Sequence, residues 1–104
     1  MNIETLKIFC DLVETQSFSL AAKRNFVTQS AVSQRISNLE GKFNGRLINR
    51  VRGKGEIKLT KAGKVFYAEC SKVLASYEEL NENMRFAIKT DLRSKPVRRA
   101  LRKR

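Results

Sequence analysis

Between positions 28 and 37 the chain carries Thr28, Gln29, Ser30, Ser33, Gln34 and Ser37, all uncharged side chains that donate and accept hydrogen bonds. Groups of this kind pair with base edges: a glutamine amide makes two bonds to adenine, and a serine hydroxyl serves several bases. Residues 46–66 then hold 7 Lys or Arg against 1 Glu, among them Arg50, Arg52 and Lys54. Such cations suit phosphate oxygens. Other chemistry finds little support. With no His and only Cys10 and Cys70 as thiols, the familiar zinc sites and imidazole acid–base catalysis are excluded. No grouping of Asp, Glu, Ser and Lys suggests a positioned nucleophile and base, and Ser33 has no base near it. The expectation is a binding protein, not an enzyme, with no cofactor and no metal.

The whole composition points the same way. The 104 residues include 22 Lys+Arg and 10 Asp+Glu, a formal charge of +12. The excess is concentrated: residues 46–66 and 91–104 each carry net +6, whereas 1–45 and 67–90 carry +1 and −1. Clustered cations of this kind imply a polyanionic partner, with a merely solvated surface as the plain alternative. No apolar run approaches the ~18 residues of a membrane span, and the acidic, mixed N-terminus does not read as a signal peptide. Cys10 and Cys70, both on apolar stripes, read as small core hydrophobes and not as redox sensors.

These groups need elements to hold them. Ile3, Leu6, Cys10 and Val13 fall on one helical face, predicting a first helix over about 3–15. Ser19 can cap a short second helix of about 20–25, and Phe26-Val27 reads as a tight apolar turn. Thr28 supplies an N-cap for a third helix over about 29–43. Its buried stripe is Val32, Ile36, Leu39 and Phe43, which leaves Gln29, Ser30, Ser33, Gln34 and Ser37 on the opposite face. The glycines 41, 45, 53, 55 and 63 punctuate the middle of the chain. There Leu47–Arg50 and Glu56–Leu59 predict a β-hairpin with a basic tip.

Thr60 opens a long helix in which Phe66, Cys70, Val73, Tyr77, Leu80, Met84 and Ala87 alternate steps of 4 and 3. A strict 3.5 repeat asks for a partner along its seam, and another copy of the same helix is the natural one. Folding back onto its own domain is the alternative, which Phe66 and Cys70 can satisfy. After Thr90 the apolar pattern stops, and 91–104 reads as a basic tail that is disordered when free.

Three helices followed by a basic hairpin make a winged helix-turn-helix, mainly α, with the long helix appended. An α-helix fits the major groove, and Thr28 with the free amides beside it suits a phosphate. Arg50, Arg52 and Lys54 on the hairpin are placed for the backbone or a narrow minor groove.

Phe18-Ser19-Leu20-Ala21-Ala22, Thr28-Gln29-Ser30-Ala31-Val32-Ser33-Gln34-Arg35-Ile36, Leu39-Glu40, Leu47-Ile48-Asn49-Arg50 and Leu59-Thr60-Lys61-Ala62-Gly63 together resemble the N-terminal domain of LysR-type transcriptional regulators. The resemblance is ungapped and covers about 1–90. It implies a bacterial, cytoplasmic, nucleoid-associated protein that binds double-stranded DNA sequence-specifically at an interrupted inverted repeat. It also implies dimerisation, or a higher oligomer, through the linker helix. By position, Gln29, Ser30, Ser33, Gln34 and Ser37 face the major groove, while Thr28, Arg35, Arg50, Arg52 and Lys54 meet phosphate or form the wing contacts. Ser30 departs from the family's usual Pro, Phe43-Asn44 from Leu-Gly, and Ile48 from Phe.

The expected organisation is a DNA-binding domain over 1–60, a dimerisation helix over 61–90 and a tail over 91–104. No effector-binding domain is expected in this chain, so no small-molecule effector site and no membrane association. An excised fragment and a natural short form remain open. Two other readings compete: a non-specific architectural DNA binder, and a short form that makes mixed dimers with a longer relative.

Overall fold

The structure, a computed structural model, describes residues 1–51 and 56–94. Four helices and one antiparallel strand pair occur in the order α1 (Ile3–Thr15), α2 (Phe18–Arg24), α3 (Gln29–Phe43), β1 (Ile48–Val51), β2 (Glu56–Leu59) and α4 (Lys61–Ser94). Residues Met1–Leu74 form one compact unit, and the chain from Ala75 onward forms a second.

Each short helix starts where a side chain can satisfy an orphan amide. Asn2 Oδ1 accepts from the Thr5 amide at 2.9 Å to open α1, and Thr28 Oγ1 accepts from the Ala31 amide at 3.0 Å to open α3, as expected. The second helix departs from expectation. Its cap is Ser17, accepting from the Leu20 amide at 3.0 Å, and not Ser19. The reason is packing. Phe18, Ala21 and Ala22 share one helical face and enter the core together, so the helix has to include Phe18. Leu20 is left exposed.

The turn between α2 and α3 splits its two apolar residues. Val27 packs on the core, whereas Phe26 adopts a left-handed φ of 56° with its ring 95% exposed.

The core gathers Ile8, Phe9 and Leu12 of α1, Ala21 and Ala22 of α2, Val32, Ile36 and Leu39 of α3, and Leu47, Ile48 and Ile57. Phe43, the fourth member of the expected α3 stripe, is not buried. The helix ends there, Asn44 takes a left-handed φ of 55°, and the Phe43 ring rests at 5.5 Å from that of Phe66.

The strands pair Ile48 with Leu59, Asn49 with Lys58, and Arg50 with Ile57. Period-two alternation therefore puts Ile48, Arg50, Ile57 and Leu59 on the face that meets the helices. Two strands alone are marginal; here Gln16 Oε1 accepts from the Ile57 amide at 3.3 Å and binds β2 to the end of α1.

Thr60 opens α4 as anticipated, its hydroxyl accepting from the Gly63 amide at 2.9 Å and donating to the Arg46 carbonyl at 2.7 Å. The helix continues through Ser94, beyond the expected end at 90; residues 95–104 of the expected tail lie outside the described residues. Among the described residues no helix is long and apolar enough to cross a membrane. Gly63, which the pattern treats as a tolerated irregularity, is a requirement. A Cβ there would overlap the Leu47 carbonyl oxygen and crowd Leu59.

One buried carboxylate joins α1 to α2. Asp11 accepts from Asn25 Nδ2 at 2.8 Å, Lys7 Nζ at 3.1 Å and Arg24 Nη1 at 3.1 Å. Burial by itself would push this carboxyl up, but the hydrogen bonds from Asn25, Lys7 and Arg24 outweigh it and hold it below the usual carboxylate value.

Two outcomes follow for stability. Gly63→Ala should destabilise the fold by about 3 kcal/mol in urea denaturation, because overpacking against backbone exceeds the ~1 kcal/mol gain in helix preference. Asp11 has a depressed folded pKa, so its contribution is complete above the unfolded value near ~4 and is lost as pH falls through the folded one. Asp11→Asn should lower the urea midpoint at pH 7 and flatten its decline below about pH 4; an unchanged acid limb would remove Asp11 from this role.

Candidate nucleic-acid interface

The first turns of α3 present the uncharged row predicted from sequence. Thr28, Gln29, Ser30, Gln34 and Ser37 are exposed and Ser33 is half-buried. Around the α3 axis Gln29, Ser33 and Ser37 form a line that borders the core stripe of Val32, Ile36 and Leu39, while Ser30 and Gln34 lie opposite that stripe. Thr28 Oγ1 already holds the Ala31 amide, which pins the start of the helix and leaves neighbouring first-turn amides aimed outward. Gln34 Nε2 donates to Asn38 Oδ1 at 3.0 Å, one turn on.

Arg50 is the residue that ties the strand pair to this row. Its place on the inner face of β1 carries the guanidinium over the Phe18 ring, 4.2 Å from the centroid, and into a 3.0 Å hydrogen bond from Nη2 to Ser33 Oγ. Shallow depressions open on both sides of it. One is lined by Phe18, Gln29, Ser30, Ser33 and Arg50; the other includes Ser37, Glu40 and Arg46 together with Ser33 and Arg50. Gln29, Ser30, Ser33, Ser37 and Arg50 thus form one continuous surface.

One expected contributor falls elsewhere. Six residues after Gln29, Arg35 lies on the opposite side of α3, where Nη1 pairs with Glu4 Oε1 of α1 at 3.2 Å. Its charge closes the α1–α3 contact instead of joining the row. Arg52 and Lys54 lie outside the described residues. Of the expected seam, Phe66 and Cys70 are committed to the domain: Phe66 makes an edge contact with Phe9 at 4.9 Å, and Cys70 is buried beside Leu6 and Cys10. Val73, Tyr77, Leu80, Met84 and Ala87 are exposed.

Sequence reasoning missed three members of this site. Phe18 serves as the platform for Arg50, and Arg46 supplies a second exposed cation; membership of the +6 block was the available signal for the latter. Glu40 accepts from the Leu47 amide at 2.8 Å and the Ile48 amide at 3.2 Å through one carboxylate oxygen, clamping the root of β1 to α3. No periodicity argument exposes such a long-range contact.

A family model described as "Bacterial regulatory helix-turn-helix protein, lysR family" matches residues 3–64, more than half of the chain. The chain belongs to the LysR family. Among curated relatives it is 34% identical over 83 residues to an uncharacterized HTH-type transcriptional regulator of Haemophilus influenzae, covering 80% of this chain and 28% of that protein. It is 42% identical over 78 residues to a probable RuBisCO transcriptional regulator of Cyanidioschyzon merolae, covering 75% of this chain and 25% of that one. The match therefore spans about a quarter of these relatives' length. Among solved structures, the CbnR DNA-binding domain in complex with DNA superposes with a TM-score of 0.74 at 27% identity, over 85% of this chain and 99% of that one.

The LysR assignment and the winged helix-turn-helix agree with each other, and the chain is a LysR-type DNA-binding domain of a transcriptional regulator. Both of these relatives are described as transcriptional regulators.

The Glu40 clamp is open to direct measurement. Glu40→Ala strands two amides and should cost about 1–3 kcal/mol. Hydrogen exchange at Leu47 and Ile48 should accelerate together in that variant, while Glu40→Gln, which keeps an acceptor, should retain most of the protection. Unchanged exchange at both amides would show that the clamp does not hold the strand.

Proposed function

We propose that this LysR domain reads duplex DNA by laying α3 in the major groove, with Gln29, Ser30, Ser33, Gln34 and Ser37 toward base edges. Thr28 and the first-turn amides of α3 take a phosphate, and Arg50 and Arg46 neutralise the adjoining backbone, joined by Arg52 and Lys54. Arg35, paired with Glu4, stands outside this set. The observation that carries the reading is the Arg50–Ser33 hydrogen bond, which couples a cation to the middle of an otherwise uncharged hydrogen-bonding row. The solved complex of the CbnR DNA-binding domain with DNA, similar over most of this chain, supports DNA as the partner.

Two copies paired through α4 bind an interrupted inverted repeat. The exposed Val73, Tyr77, Leu80 and Met84 support the pairing, since fully burying each aliphatic side chain among them is worth roughly 1.5–3 kcal/mol before entropy. Recognition helices so joined enter major grooves about 34–36 Å apart, or a multiple of that distance.

Selection of bound duplexes from random sequence tests specificity, symmetry and spacing together. The expected yield is a two-fold related pair of half-sites. Gln29→Ala should lose base preference at one position by about 1–3 kcal/mol. Arg46→Ala should weaken selected and random duplexes alike and reduce the salt dependence by about one phosphate. Leu80→Asp should convert the dimer to monomer in light scattering. Equal binding of selected and random DNA would favour an architectural role instead.

A further inference from the structure

Cys10 of α1 and Cys70 of α4 are the only thiols in the chain, and both are free. Sixty residues apart in sequence, they meet in a small apolar cluster with Leu6, flanked by Ile3, Phe66, Tyr67 and Leu74, separate from the main core. Both lie in the compact unit that ends at Leu74. Cys70 Sγ donates to the Leu6 carbonyl at 3.4 Å, and Cys10 Sγ lies 4.0 Å from Ser71 Oγ, the neighbour of Cys70 on an exposed turn of α4.

We propose that Cys10 and Cys70 are a redox pair, oxidised by a hydroperoxide to an intramolecular disulfide that staples the root of α4 to α1.

The surroundings divide the labour between the two sulfurs. The neighbouring Cys70 sulfur, helped by Ser71, holds Cys10 below the usual thiol value against the opposing effects of burial and of Glu14 and Asp11. The same interaction with Cys10, together with burial, pushes Cys70 up. Cys10 is therefore the sulfur that ionises first and attacks, with Cys70 as its partner. The Cys10 thiolate takes one oxygen from hydrogen peroxide, breaking the O–O bond, to give a sulfenic acid and hydroxide. The Cys70 sulfur then displaces the sulfenic hydroxyl, which leaves as water with the Cys70 proton. In sum two thiols lose two electrons and two protons, and one peroxide becomes two waters.

The link matters because Cys70 is the last fully buried residue of α4 among the described residues. Closing a loop of about 60 residues restricts the unfolded chain strongly, and a disulfide of this span typically raises Tm by about 10 °C or more in a domain of this size. With no third thiol present, neither cysteine has another partner within the chain.

The test uses the whole reduced chain treated with hydrogen peroxide, digested without reductant and weighed by mass spectrometry. The expected product is a Cys10–Cys70 peptide pair two hydrogens lighter than the separate peptides, at monomer mass in the undigested protein. Tm should rise by about 10 °C and return with dithiothreitol; Cys70→Ala should abolish the rise while its reduced form still melts cooperatively. Three results would overturn the proposal: Cys10 over-oxidised with Cys70 free, disulfides formed only between chains, or both thiols unreacted in folded protein. All of these are read from thiol chemistry, so they leave DNA recognition untouched.

Discussion

The peptide groups on either side of Leu47 are where the recognition helix, the strand pair and the long helix are held together. The Leu47 and Ile48 amides point at the Glu40 carboxylate of α3. The Leu47 carbonyl accepts from the Thr60 amide at 3.0 Å and lies against Gly63 in the first turn of α4. The Leu47 side chain meanwhile sits in the core at 3% exposure. A buried backbone group without a partner would cost about as much as a lost hydrogen bond. Here both polar groups of one residue are satisfied by different elements, so the relative placement of those elements is determined by a few short contacts. That is what lets a two-stranded sheet, marginal alone, hold a fixed position beside α3.

From that fixed root, strand register does the rest. Ile48 must face the core, so Arg50, two residues on, faces the same way. At the margin of the domain it finds the Phe18 ring and Ser33 rather than apolar packing. A guanidinium held flat on an aromatic ring keeps most of its donors while losing little freedom on contact, since the planar fork is already oriented. The exposed row on α3 itself carries no charge. One hydrogen bond, Arg50 to Ser33, sets a cation at the rim of that uncharged row.

The elements were legible in the sequence to the degree that each rested on local periodicity. Helices α1 and α3, the strand pair and the opening of α4 at Thr60 all fall where the spacing and caps put them. The exposed row on α3 was legible for the same reason: three core residues at 4 and 3 spacing leave only one other side for the polar ones. The failures share a cause as well. The spacing puts the cap at Ser19, but the core requires Phe18 inside the helix and moves the cap to Ser17, and Phe43 continues a stripe that the helix end cuts short. Arg35 pairs with Glu4, thirty-one residues earlier, a contact that the motif around Arg35 does not announce. Gly63 and Glu40 owe their roles to contacts with Leu47, from the other side of the strand pair and from α3 respectively. Contacts between distant parts of the chain leave no trace in a spacing pattern.

The 4–3 repeat of α4 shows most clearly how one sequence signal can encode two environments. The repeat is unbroken from Phe66 to Ala87, and nothing in its spacing marks a change. Yet Phe66 and Cys70 are consumed by the domain to which α4 is rooted, while Val73, Tyr77, Leu80 and Met84 keep 40–54% of their surface in water. A helix segment in water gains little from its own hydrogen bonds and depends on packing of its apolar side for stability. The first two turns receive that packing from α1 through Leu6, Phe9 and Cys10. The later turns present the same type of surface with the same spacing to water, so the repeat alone does not distinguish a buried position from an exposed one.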